Sequence, residues 1–239
     1  MTADEKLKTA RFIDLAADSL ETGYRSPARD YNFRDDVPQA LDNIKPGGLG
    51  QIAAEIMACE ACSLCKTRTN AVPGEGASKP LVMVIGEGPG ADEDATGRPF
   101  VGKAGQLLDK MLDSIKLSRN KNCFIANVIK CRPPNNRDPL PEETAACAPF
   151  LEQQIKLLQP KFILCLGRIS AQFLLKTTES LGGLRGKFLE FTAGDNTIPL
   201  LVTYHPSALL RNEDLKRYAW EDLKLLRSRL EDAAPNREG

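Results

Sequence analysis

Cys59, Cys62 and Cys65 form a Cys-x2-Cys-x2-Cys array, followed by Cys131 and, sixteen residues later, Cys147. In a reducing compartment this spacing reads as metal or cluster ligation rather than a disulfide framework, for which seven cysteines in 239 residues are too few and odd in number. Cys123 and Cys165 fall inside apolar runs and belong to the core. Five thiols thus remain for a site that takes four, and four thiolates suit either structural zinc or a 4Fe-4S cluster. Spacing alone decides neither the metal nor the spare cysteine. A second group of residues is typical of a ligand cleft. His205 is the single histidine and follows an apolar run, where a ring nitrogen can donate to a ligand. Asn127 ends another run, and a buried amide there can read a planar ring through one donor and one acceptor. Gly86-Glu87-Gly88-Pro89-Gly90 and the acidic stretch from Ala91 to Gly102, read as a long polar loop, complete the set.

These residues need a scaffold. Four apolar runs bounded by Gly, Pro or Asn, at Leu81 to Gly86, Cys123 to Ile129, Phe162 to Gly167 and Leu200 to Tyr204, read as buried strands. Helical patterns at Ala104 to Ile115, Pro141 to Leu158, Ile169 to Leu175 and Asp214 to Leu230 alternate with them. A parallel sheet covered on both faces is expected, with its ligand beyond the carboxyl ends of the strands. Gly86 to Gly90, Asn127, Gly167-Arg168 and His205-Pro206-Ser207 all fall at those ends. The Gly86 segment has a spacing that a dinucleotide fingerprint tolerates, but Pro89 weighs against that reading.

Upstream the pattern differs. Residues 4 to 22 are compatible with one amphipathic helix and residues 23 to 50 with a linker, so residues 1–50 read as a poorly structured extension and 51–239 as the folded domain. Ile52 to Met57 reads as a short helix leading into the cysteine array. At 42% hydrophobic and 27% charged, the chain is neither disordered nor fibrous. Lys plus Arg equals Asp plus Glu at 32 each, so no global basic field argues for nucleic acid. The first 60 residues carry 11 acidic and 7 basic side chains, which leaves the body mildly basic. No signal peptide or membrane span is read, and a cytoplasmic monomer is expected.

The motifs together carry a resemblance. Cys59-x2-Cys62-Ser-Leu-x3-Arg68, Gly-Glu-Gly-Pro-Gly, Thr-Gly-Arg-Pro-Phe-Val-Gly-Lys-Ala-Gly at 96 to 105, Asn127-Val-Ile-Lys-Cys131-Arg-Pro-Pro, Cys147 and His205-Pro-Ser resemble the iron-sulfur uracil-DNA glycosylases, the family 4 enzymes, in order over residues 59 to 230. The resemblance implies a three-layer α/β/α sandwich with a four-stranded parallel sheet, and a 4Fe-4S cluster on Cys59, Cys62, Cys131 and Cys147 with Cys65 as the extra thiol. It implies uracil-containing DNA as partner, single- or double-stranded, and hydrolysis of the glycosidic bond to leave an abasic site. A similar group of glycosylase-like proteins traps uracil DNA covalently through a His in a basic insert after the second strand. Arg132 to Pro141 has no His and no long insert, which favours hydrolysis.

By that resemblance Phe100 stacks on the extruded base, Asn127 pairs with uracil O4 and N3–H, and Gly86 and Gly88 line the base site. His205 donates to uracil O2. Gly88 stands where other glycosylase families place a water-positioning carboxylate, so Glu87 or Glu93 takes that task, and Glu93 is also the candidate for excluding thymine's methyl group. Lys130, Arg132 and Arg137 are expected at phosphates, Ser207 at the DNA, and Leu210 with Arg211 as a wedge. Two rival classes are an iron-sulfur electron-transfer protein and a non-hydrolytic binder of uracil-containing DNA.

Overall fold

The computed structural model describes residues 48–193 and 196–233. Tertiary contacts divide the chain into Met1–Lys45 and Pro46–Gly239. The helix and most of the linker expected in the extension lie outside the described residues. The first described helix, α1 (Leu49–Met57), begins two residues before the expected domain boundary.

Six strands form one sheet: β1 (Glu75–Gly76), β2 (Val82–Gly86), β3 (Cys123–Asn127), β4 (Phe162–Leu166), β5 (Phe188–Ala193) and β6 (Asn196–Thr203), in the order β1-β3-β2-β4-β6-β5. The four inner strands are mutually parallel and are the four apolar runs of the sequence, although β6 starts earlier than its run suggested. β1 and β5 pair antiparallel at the edges, so the expected four-stranded sheet is a six-stranded one. β1 is two residues long and carries no periodicity to read. β5 had a signal, Gly194-Asp195 between two β-rich runs, which suits a two-residue hairpin connection.

Every residue of β2, β3 and β4 is buried, and successive side chains point to opposite faces. Met83, Ile85, Ile163, Cys165 and Val202 share a core with Ile52 and Ile56 of α1 and Leu151 and Ile155 of α4 (Pro141–Leu158). Ala171 and Leu174 of α5 (Arg168–Leu175) and Leu184 of α6 (Leu181–Leu184) close that layer. The alternate residues Val82, Val84, Ile125, Leu164 and Leu201 are equally buried. They face the other layer, where Leu108, Met111 and Leu112 of α3 (Lys103–Asp113) and Leu223 and Leu226 of α8 (Lys216–Asp232) are buried. The three-layer α/β/α arrangement is therefore as expected.

The chain leaves β2 through α3 on one face and leaves β3 and β4 through α4 and α5 on the other. Connections that depart to opposite faces open a crevice at the carboxyl ends of the strands. Gly86 and Asn127 are register partners at the ends of β2 and β3. Gly167 and His205 follow β4 and β6. Among the described residues no helix is long and apolar enough to cross a membrane.

Candidate active site and cysteine cavity

The crevice is a cleft of about 450 Å³, lined by Glu87, Gly88, Glu93, Phe100, Asn127, Arg168, His205, Ser207 and Arg211 among others. Residues from every inner strand end thus meet in one place, as the sequence suggested. Asn127 is 1% exposed. Its side-chain oxygen has no hydrogen-bond partner among the described residues. A buried acceptor left without a donor costs about 1–3 kcal/mol, which a ligand's N–H would recover. Gly86 allows this arrangement, because a Cβ there would come within 2.5 Å of Asn127 Oδ1 and 2.6 Å of the Phe100 ring.

Phe100 is buried and occupies a left-handed backbone conformation at φ 53°. For a non-glycine residue this costs on the order of 1–3 kcal/mol and persists only when neighbours enforce it. Its ring lies 5.5 Å from the His205 ring, so the two rings and the Asn127 amide border the same space.

His205 caps α7 (Pro206–Arg211). Its Nδ1 accepts from the Ser207 backbone N–H at 3.2 Å and lies 2.8 Å from the Ser207 hydroxyl. A nitrogen that accepts from a backbone amide carries no hydrogen, so the ring proton is on Nε2. Burial, reinforced by Arg211 and only opposed by Glu93, pushes the imidazole down to about 4. His205 is therefore a neutral donor near pH 7. Ser207, expected at the DNA, lines the cleft and fixes this tautomer.

The two acidic candidates separate. Glu93 Oε1 accepts from the backbone N–H of Val101 at 2.8 Å and of Gly102 at 3.1 Å, and Oε2 from Gly90 at 3.1 Å. With both oxygens engaged, Glu93 anchors the turn carrying Phe100. It does so from a six-residue helix, α2 (Ala91–Thr96), inside the stretch expected to be a loop. Glu87 has no such engagement among the described residues. Burial, helped by Asp138 and opposed by Arg168, raises its carboxyl above the ordinary 4.5. Asp138 and Arg168 pair at 2.9 Å beside it, and neither was singled out in that role from sequence. Gly88 packs on Ile129, where a Cβ would approach within 2.8 Å, so this wall has no room for a carboxylate.

On the wedge side, Arg211 is exposed and lines the cleft, while Leu210 is half-buried on the same helix. Arg132 donates to Asn136 at 2.7 Å, and Arg137 holds the buried Glu143 through two hydrogen bonds of 2.8 and 2.6 Å. Lys130 corrects an expectation: it is 1% exposed and cannot reach phosphate. Its Nζ donates to Asn127 O at 2.9 Å and Gln154 Oε1 at 2.7 Å, thereby supporting the backbone of Asn127. Its place directly after the apolar run at 123–129 was a sign of burial.

A second cavity is lined by Cys59, Cys62, Cys65, Cys131, Cys147, Arg68 and Lys130. Among the described residues no three metal-binding side chains are gathered for a single ion. A mononuclear zinc needs sulfurs about 4 Å apart, whereas a cluster places four irons between its thiolates and wants them wider. N–H groups already point at sulfur. Arg68 Nη1 donates to Cys131 Sγ at 3.1 Å, the Lys130 backbone to Cys147 Sγ at 3.3 Å, and the Ala61 backbone to Cys59 Sγ at 3.5 Å. Burial pushes the Cys147 thiol up to about 11 and raises Cys131 despite Arg68, so ionisation of these thiols calls for a metal beside them. Cys62 packs against the core. The residues fit a four-thiolate cluster.

The uracil DNA glycosylase superfamily model matches residues 73–224. The chain belongs to that superfamily. The match contains the whole cleft, from Glu87 to Arg211, together with Cys131 and Cys147, while Cys59 and Cys62 precede it. The Type-4 uracil-DNA glycosylase of Saccharolobus solfataricus is 44% identical over 186 residues, covering 76% of this chain and 86% of the relative. That of Pyrobaculum aerophilum is 48% identical over 171 residues, 70% of this chain and 87% of the relative. A Type-5 uracil-DNA glycosylase from Thermus thermophilus is 34% identical over 155 residues, 57% of this chain and 68% of the relative. Superfamily membership accounts for the cleft without a dinucleotide fingerprint.

Proposed function

We propose that this protein is a uracil-DNA glycosylase of the Type-4 kind, which extrudes uracil from DNA and hydrolyses its N-glycosidic bond to release free uracil. The observation that carries the reading is the orphaned Asn127 Oδ1, set beside the Phe100 ring and a neutral His205. Uracil N3–H supplies the missing donor and O4 accepts from the amide's other end. Cytosine offers a bare N3 and a donor at N4, the reverse pattern, and leaves Asn127 unpaired.

Extrusion costs a few kcal/mol. Stacking on Phe100 offsets about 1–3 kcal/mol of it. As the bond to C1′ breaks, positive charge grows on the sugar and negative charge on the departing base. His205 Nε2–H donates to O2, where that charge collects. Glu87, the carboxylate left free, orients a water toward C1′ and takes its proton, so the water's oxygen bonds to the sugar and uracil leaves with the bonding electrons. Glu93 holds the Phe100 turn. Cys59, Cys62, Cys131 and Cys147 would hold a 4Fe-4S cluster, which would supply no electron to this hydrolysis and would staple the segment before β1 to Cys131 after β3 and Cys147 of α4. We place the enzyme in the cytoplasm as a monomer.

The deciding experiment is release of free uracil from a single-stranded uracil oligonucleotide, scored by alkaline cleavage, in EDTA. Binding without release would favour the non-hydrolytic reading, and reversible reduction without release would favour electron transfer. Loss of activity on chelation of divalent ions would overturn the donor-based mechanism.

Acid should reveal the two titrations separately. The reaction needs Glu87 ionised, so its single-turnover rate should fall as pH drops through a value above 4.5, and the fall should vanish in Glu87→Gln. His205, held near 4, should give no inflection around its ordinary 6.5. An inflection there that disappears with His205 replaced would show a charged imidazole instead.

Leu210 and Arg211 lie on α7 directly beyond His205. Filling the space vacated by the base matters when pairing and stacking must be broken, and much less in a single strand. Replacing both by Ala should slow cleavage of a U·G duplex at least about tenfold more than cleavage of the same single strand. Equal slowing, mimicked by high salt, would reduce them to packing or phosphate contact.

A further inference from the structure

Phe100 holds its left-handed conformation because several distant groups converge on its backbone. Arg119, from the loop before β3, is only 9% exposed. Its Nη1 donates to Pro99 O and its Nη2 to Phe100 O, both at 2.8 Å. The other side of the guanidinium is fixed by Asp109 at 3.0 and 2.8 Å and by Glu75 at 2.7 Å. Glu75 in turn takes two hydrogen bonds from Arg98, at 2.8 and 3.1 Å. Burial works to raise the Glu75 carboxyl, but the two arginines outweigh it and hold it below its ordinary value. From the opposite side Glu93 binds the N–H groups of Val101 and Gly102. Room for the kink comes from Gly105, where a Cβ would lie 1.9 Å from Phe100 O.

The planar fork of Arg119 is suited to two adjacent carbonyls turned the same way, a geometry that the left-handed residue creates and a lysine cannot hold. A buried ion pair of this kind is weak evidence of a contribution to stability. We propose that Arg119 is a positioning residue for base recognition: it clamps Pro99 and Phe100 so that the Phe100 ring stays over the base site beside His205. This rests on the glycosylase reading and assigns its stacking platform a support more than a dozen residues away in sequence. Asp109 is the outer anchor of the clamp, with a side chain 51% exposed.

The test is a double-mutant cycle on the full-length protein, read as inhibition by free uracil and as KM and kcat on a single-stranded uracil oligonucleotide. Arg119→Lys should weaken uracil binding and raise KM about tenfold, the scale of one lost stacking contact, with a smaller change in kcat. Asp109→Asn, a surface change that keeps the fold, should give about a threefold loss by weakening one charge-assisted anchor. Neither substitution should weaken uracil further when Phe100 is already Ala. Unchanged uracil affinity in both variants, or the same loss with and without Phe100, would overturn the proposal, even where melting temperature falls. If the unsubstituted protein neither released nor bound uracil, both this proposal and the glycosylase reading would fall.

Discussion

His205→Ala should lower the single-turnover rate of uracil release by about 10²- to 10³-fold, the loss expected when one preorganised donor to a developing anion is removed. The basis is geometric. Ser207 occupies Nδ1 through its backbone N–H and hydroxyl, so the proton is held on Nε2 and needs no rearrangement as charge reaches uracil O2. Holding the ring neutral has a further consequence: the donor is matched to an anion without a standing positive charge that would favour other anions in the ground state. His205→Gln keeps a donor of similar reach and should recover part of the rate. Uracil affinity in the ground state should change much less than the rate, since O2 is only weakly negative before the bond breaks. A fall of less than about fivefold in the Ala variant would remove His205 from catalysis and shift the weight to Glu87.

The second large effect concerns the cysteine cavity. Purified protein should be brown and carry about four irons per chain. Replacing Cys59, Cys62, Cys131 or Cys147 by Ala should cost most of that iron and most of the soluble yield, because the cluster would join the segment before β1 to Cys131 after β3 and Cys147 of α4. Cys65→Ala should leave both nearly intact. Cys65 lines the same cavity as the other four. Among the described residues it receives none of the N–H···S contacts that Cys59, Cys131 and Cys147 receive. Stoichiometric zinc without iron would refute the cluster. Iron lost from Cys65→Ala but kept in Cys59→Ala would reverse the ligand assignment.

Much of the scaffold is legible in the amino-acid sequence itself. The four inner strands are unbroken apolar runs, because a parallel sheet covered on both faces must be apolar throughout, and that signal is local. Their carboxyl ends carry Gly86, Asn127, Gly167 and His205, so a rim of polar chemistry follows from the order of strands and helices alone. Cys59, Cys62, Cys65, Cys131 and Cys147 are equally visible as five candidates for a four-thiolate site, while the choice of four came only from the family resemblance. The edge strand β1 escapes such a reading, since it is only two residues long.

The tertiary structure decided what each polar group does, because its partners lie far away in sequence or depend on burial. Lys130 looked like a phosphate contact and is a buried strut under Asn127, joined to Gln154. Glu93 and Glu87 are equivalent in sequence as carboxylates six residues apart, and only the backbone N–H groups of Gly90, Val101 and Gly102 mark Glu93 as the one engaged in the turn. Ser207, expected at the DNA, also sets the His205 tautomer, which no local pattern announces. Arg119 gave no signal, since a lone arginine in a polar loop reads as solvated. Its function comes from a left-handed Phe100 and from Glu75, 44 positions away, whose arrangement no local pattern encodes. Hydrophobic periodicity specifies where a strand runs and what its end presents, whereas protonation state, tautomer and clamp are properties of the packed environment.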